Sequence, residues 1–190
     1  MSATSAPFGL RPAFHPSGLD RAVALADGIA SAYNTDILKG QPVRLNTSGN
    51  IIVAGAGDAF QGAFAGVEWT DTTGRRRVSN YWPANTAYQT GSCVTYYYSD
   101  PNIVYEIQAA GTLSQASIGE EFDLSNTTAG SNVTGLSQAT LSITPAGAGN
   151  NAQMRVINLA PYTDNAWGDN FVIVQAQITK HQYVAVSNAI

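Results

Sequence analysis

Along most of the chain, apolar residues come in short runs separated by clusters of Gly, Asn, Ser, Thr and Pro. Residues 43–45 and 51–53 are β-prone, and Asn46-Thr47-Ser48-Gly49-Asn50 between them is the polar, glycine-bearing loop of a hairpin. Residues 60–69 mix Phe60, Phe64 and Trp69 with Gly62, Ala63, Ala65 and Gly66, predicting a strand that bends or approaches another backbone at its glycines. Thr72-Thr73-Gly74 then turns the chain into Arg75-Arg76-Arg77-Val78. Residues 93–98 read as a buried strand and 103–108 alternate as a half-buried one, while 121–124, 140–143, 154–159 and 171–178 continue the pattern. The Ala-Gly-Ala-Gly tetrapeptides at 54–57 and 146–149 read as loops. No stretch carries the long amphipathic repeat that the helices of a βαβ fold require. The fold class is therefore mainly β, an antiparallel β-barrel or sandwich.

The first eighteen residues differ from the rest. Pro7, Pro12 and Pro16 prevent a helix there, yet Phe8, Leu10 and Phe14 are apolar and need burial. Two readings fit: an extended N-terminal arm (1–18) anchored outside a single β-rich domain (19–190), or a first strand that caps the domain's own core. The first is expected, because prolines keep the segment from completing a central ladder while the apolar anchors need a groove; Phe8, Leu10, Arg11 and Phe14 are then its interface residues. Residues 19–33 are rich in Ala but broken by Gly28, so a short helix and a strand with a turn both remain open.

Composition narrows the function. Hydrophobic residues make up 44% of the 190-residue chain and charged residues only 12%, too apolar for disorder and about half the usual charged share of roughly 25%. A surface of Ser, Thr, Asn, Gln and Tyr suits a protein packed against copies or partners, since charge must be desolvated at an interface core. The formal net charge of −4 gives no attraction for phosphate backbones, so nucleic acid is excluded as an expected partner. No segment reaches the roughly 18 apolar residues of a membrane span, and the opening residues lack the cationic and apolar regions of a signal peptide, so synthesis in the cytoplasm is expected. Without a signal peptide, the sequons at Asn46, Asn126 and Asn132 read as chance.

No set of catalytic, cofactor-binding or metal-binding residues emerges, and the protein is not expected to be an enzyme. His15 and His181 are the two imidazoles, one in the arm and one near the C-terminus, and both are expected as polar surface or interface residues. Gly55-Ala56-Gly57 lacks the third glycine and the following helix of a nucleotide loop. Glu120 and Glu121 are adjacent, so in a strand they face opposite ways and cannot flank one glycosidic bond. Cys93 has no second cysteine to pair with and sits in an apolar run, so it reads as buried and inert. Arg75, Arg76 and Arg77 form either an intersubunit contact to a neighbour's carboxylates or a solvated hairpin tip. Trp82, Trp167 and Tyr96 to Tyr98 could offer sugars a stacking surface, although such residues more often fill cores or protein interfaces.

The opening APFGLRPAFHPSG (6–18), the hairpin GQPVRLNTSGNIIVA (40–54), the strand GAFAGVEW (62–69) and VYEIQA (104–109) together resemble the capsid decoration, or cement, proteins of tailed bacteriophages. That resemblance implies a β-rich domain, often with a projecting arm, bound as a dimer or trimer to the outer surface of the capsid where capsomers meet. Its partner would be the major capsid protein, with no catalytic residue and no cofactor to carry over. The alternative from another class is a carbohydrate-binding or adhesin module on a virion fibre or cell surface.

Overall fold

The computed structural model describes residues 4–18 and 21–185, and among these fourteen strands and one short 3-10 turn (Gln115–Ser117) account for the regular structure. The strands are β1 (Arg11–Phe14), β2 (Val23–Ala26), β3 (Pro42–Leu45), β4 (Ile51–Val53), β5 (Gly62–Thr70), β6 (Arg76–Ser79) and β7 (Val94–Tyr97). They continue with β8 (Val104–Gln108), β9 (Glu121–Ser125), β10 (Gly130–Ser131), β11 (Leu136–Ser137), β12 (Thr140–Pro145), β13 (Met154–Leu159) and β14 (Ile173–Ile178). One sheet runs β1-β8-β14-β13-β9-β12; the second runs β2-β7-β5-β3-β4, with β6 pairing the far end of β5, and β10 and β11 form a small hairpin. All of these strand pairs are antiparallel. No barrel closes, and the arrangement is a sandwich of sheets.

Two apolar clusters explain why the layers hold. The first is built on Tyr105, Ile107, Phe122, Leu124, Val156 and Val174 of the first sheet, and the second on Val43, Phe64, Val67 and Trp69 of the second sheet together with Trp82. Strand β5 serves both, because consecutive side chains in a strand face opposite ways: Ala63 belongs to the first cluster and Phe64 to the second. Its glycines behave as their spacing predicts. Gly62 has φ 149°, and a Cβ there would lie 1.9 Å from the Tyr98 carbonyl oxygen, while the β5–β7 register shifts between Phe64 and Gly66.

The β3–β4 hairpin forms with Val43 opposite Val53 and Leu45 opposite Ile51. Its loop is fixed by Asn46, whose Oδ1 accepts the backbone N–H of Ser48 and of Asn50. Residues 21–33 resolve as β2 followed by turns, not as a helix, and Leu19 and Asp20 lie outside the described residues.

Two expectations are corrected. Strand β8 is buried along its whole length instead of on one face. Tyr105 and Ile107 enter the core, while Glu106 and Gln108 on the opposite face are covered by the N-terminal segment: Arg11 bonds Glu106, and the Gln108 amide pairs with the backbone of Thr4 and Ala6. His181 is buried instead of superficial, with Nε2 3.0 Å from the carbonyl oxygens of both Gln61 and Ser99, and Nδ1 accepting the Tyr183 N–H. Its Nε2 therefore carries the proton, and burial holds its pKa below the ordinary 6.5. The arm takes the second of its two readings in the isolated chain. Residues 4–14 are extended, but in the isolated chain they lie on their own domain, where the proline pattern pointed to a neighbour's groove: β1 pairs β8 at the end of the sheet, which tolerates Pro12 as an edge position does.

Candidate interaction surface

The arm residues divide between core and surface. Leu10 is 1% exposed and belongs to the first cluster; its N–H donates to the Gly40 carbonyl at 2.7 Å. Phe8 is half-buried beneath the Arg11 guanidinium, which stacks 4.5 Å from its ring centroid. Arg11 also donates through Nη2 and Nε to Glu106 Oε2 at 2.6 and 3.1 Å, and Nη2 donates to the Tyr162 hydroxyl. The Tyr162 hydroxyl in turn donates to Glu106 Oε2 at 2.6 Å. Burial, followed by that bond to a carboxylate, raises the Tyr162 pKa. This network satisfies a carboxylate whose side chain is only 10% exposed. Phe14, by contrast, is 46% exposed.

Beyond β1 the chain is clasped at His15. Nδ1 accepts the Ser17 N–H at 3.0 Å and lies 2.6 Å from Ser17 Oγ, while Nε2 stands 3.3 Å from Asp100 Oδ2. Serine, imidazole and carboxylate thus meet, beside a cleft also lined by Arg21 and Val23. The Nδ1 lone pair is shared with a backbone N–H of the same tight turn, so the group ties the segment to the 99–102 loop and is poorly set to take a proton from Ser17. Asp100 is held ionised chiefly by the Asn102 N–H.

The basic cluster sits on the β5–β6 hairpin, and the chain supplies its own carboxylates for two of the three arginines. Arg76 pairs with Glu68 at 2.6 Å and Arg77 with Asp71 at 2.9 Å; Arg75 is exposed. Asp71 Oδ1 further accepts from the Thr73 hydroxyl and from the N–H groups of Thr73 and Arg75, and these bonds depress its pKa well below the carboxylate range. Glu68 is lowered by its bond to Arg76 and by the Tyr96 hydroxyl that donates to it.

Of the aromatic residues considered for stacking, Trp82 and Tyr97 are inside, while Tyr96, Tyr98 and Trp167 are half-buried. Trp82 is fully buried, edge-on to Trp69 at 5.5 Å and to Tyr88 at 6.0 Å, and Tyr97 is also buried. Cys93 is buried, and desolvation raises its thiol pKa. Glu121 is buried, with its carboxylate bonded to Arg155 Nη2 at 2.6 Å and to the Ala152 N–H at 2.9 Å. Among the described residues no group of three or more His, Cys, Asp or Glu could hold a metal, and no helix is long and apolar enough to cross a membrane.

Sequence reasoning missed the most exposed apolar positions. Val133, at the tip of the β10–β11 hairpin, is 92% exposed; Leu136 is 45% and Val78, on β6, is 76% exposed. Asn80 Nδ2 donates to the Thr134 carbonyl and so joins the end of β6 to that tip. The one signal was a lone Val inside Gly-Ser-Asn-Val-Thr-Gly, an apolar residue in a turn where nothing can bury it. Leu136 also borders an apolar groove of about 260 Å³ beside the N-terminal segment. Comparisons with protein-family models, with curated proteins and with solved structures found no match to this chain.

Proposed function

We propose that this is a structural virion protein that binds the outer surface of a bacteriophage capsid and stabilises contacts between capsomers. The major capsid protein is its partner, and the protein works as a dimer or trimer. The observation that carries this reading is a charge-poor β-sandwich whose large apolar residues Val78, Val133 and Leu136 stay in water around one hairpin. Side chains of that kind gain most from a protein surface that covers them. The resemblance of residues 6–18, 40–54, 62–69 and 104–109 to decoration proteins points the same way. A partner that binds only the assembled shell stabilises that shell by mass action, and this requires no catalytic group.

Arg11, Phe14 and the Arg75–Arg77 cluster are the parts of the expected interface that remain exposed, and Leu10 acts by holding β1 in place. The carbohydrate-binding alternative has less support, because Trp82 and Tyr97 are packed in the core and Tyr96, Tyr98 and Trp167 are only half-exposed. Cosedimentation with purified shells lacking this protein tests the proposal. Saturable binding to shells, with none to the unassembled capsid protein, is expected; failure to sediment with shells, or binding to a glycan array alone, would refute it.

A further inference from the structure

Resting on that reading, we infer that the groove beside β1 is the docking site for an extended segment of the shell protein in which an apolar side chain is flanked by a carboxylate. The groove is lined by Phe8, Leu10, Pro12, Phe64, Tyr98 and Leu136. At about 260 Å³ it is smaller than the roughly 300–1,000 Å³ of small-molecule pockets, and it suits one or two side chains of a chain lying across it. Strand β1 ends its sheet, so an extended chain there meets no further strand.

Charge selects the occupant. Lys39 stands at the rim and is exposed, and among the described residues its ammonium has no ion-pair or hydrogen-bond partner; Arg11, the other cation at the rim, is committed to Glu106. An apolar anchor next to Asp or Glu fills the groove and neutralises Lys39 together. A second copy of this chain supplies such a pair poorly. Among its described residues, the exposed large apolar ones, including Phe14, Val23, Val78, Val133 and Leu136, have no Asp or Glu as a chain neighbour.

The test has two arms. In the first, the full chain is titrated with acetyl-Asp-Leu-Asp-Val-amide and with its counterpart acetyl-Lys-Leu-Lys-Val-amide, and chemical shifts are followed by NMR. The acidic peptide is expected to move the resonances of Leu10, Lys39 and Leu136 and to bind about tenfold more tightly than the basic one, with Lys39→Ser abolishing the preference. Equal binding, or shifts elsewhere, overturns the inference. In the second arm, Lys39→Glu and Leu136→Ser, both at exposed positions, are compared with the parent chain in cosedimentation with shells, with the melting temperature as a control on folding. Loss of binding at unchanged melting temperature supports the inference. Undiminished binding of both variants overturns it while leaving the proposed function intact. If the parent chain itself fails to sediment, the proposed function falls and the inferred shell partner with it. Self-association that Leu136→Ser abolishes would assign the groove to a second copy and overturn the inference.

Discussion

Replacing Leu10 by Ala probes whether the N-terminal segment belongs to its own core. The side chain is 1% exposed and packs in the cluster that contains Phe60, Tyr105 and Ile107. Truncating a buried Leu to Ala costs about 2–5 kcal/mol, more when the void cannot collapse. Leu10 borders the groove beside β1, so part of the space vacated opens to solvent, and the expected loss is about 2–3 kcal/mol. For a chain of this size each kcal/mol lowers Tm by about 2–4 °C, giving a drop of roughly 4–12 °C. Urea unfolding followed by tryptophan fluorescence reports this well, because the fully buried Trp82 changes environment on unfolding. Phe14→Ala, at a half-exposed site on the same strand, should cost less than about 1 kcal/mol. If both variants stay within about 0.5 kcal/mol of the parent, the segment is not seated on its own domain in solution and the cis arrangement is refuted.

Three further outcomes follow from the same geometry. His181 has a folded pKa below its ordinary 6.5, so its contribution to stability is complete above that value and is lost as pH falls through it toward the lower folded pKa; denaturation midpoints between about pH 7 and about pH 5.5 should fall in the parent, and His181→Gln should flatten that slope. An unchanged slope would contradict the buried, neutral imidazole. Gly62→Ala places a methyl 1.9 Å from the Tyr98 carbonyl at a φ of 149°, so a loss of about 3 kcal/mol or more, or failure to fold, is expected in thermal melts, and a neutral change would refute the close approach. Replacing Arg75, Arg76 and Arg77 together by Ser should weaken shell binding more at low salt than at high salt, because screening already removes part of an exposed electrostatic attraction; equal affinity at both salts would return the cluster to a solvated tip.

The hairpin of β3 and β4 was legible because its information is local: Asn46 needs only Ser48 and Asn50 to set the turn. The crowding at Gly62 was also readable, since a glycine among large strand residues marks a place where another backbone comes too close for a Cβ. What escaped depends on pairings across the chain. Glu106 and Gln108 look like the wet face of a strand until Arg11 and Ala6, 95 and 102 positions away, cover them. His181 looks like a surface residue until the carbonyls of Gln61 and Ser99 close over its Nε2. The prolines of the segment correctly announced an extended chain, but they fit an edge strand of the same sheet as well as a partner's groove, and in the isolated chain Leu10 docks on its own core. The exposed Val133 and Leu136 were legible only as isolated apolar letters, because a hairpin that stands clear of the core is a property of the assembled fold.

Electron cryomicroscopy of shells with and without the full chain addresses the central claim most directly. Added density is expected on the outer surface at the boundaries between capsomers, with the β10–β11 hairpin and the groove beside β1 facing the shell. Shells that look the same in both preparations, or density confined to tail fibres, would contradict it.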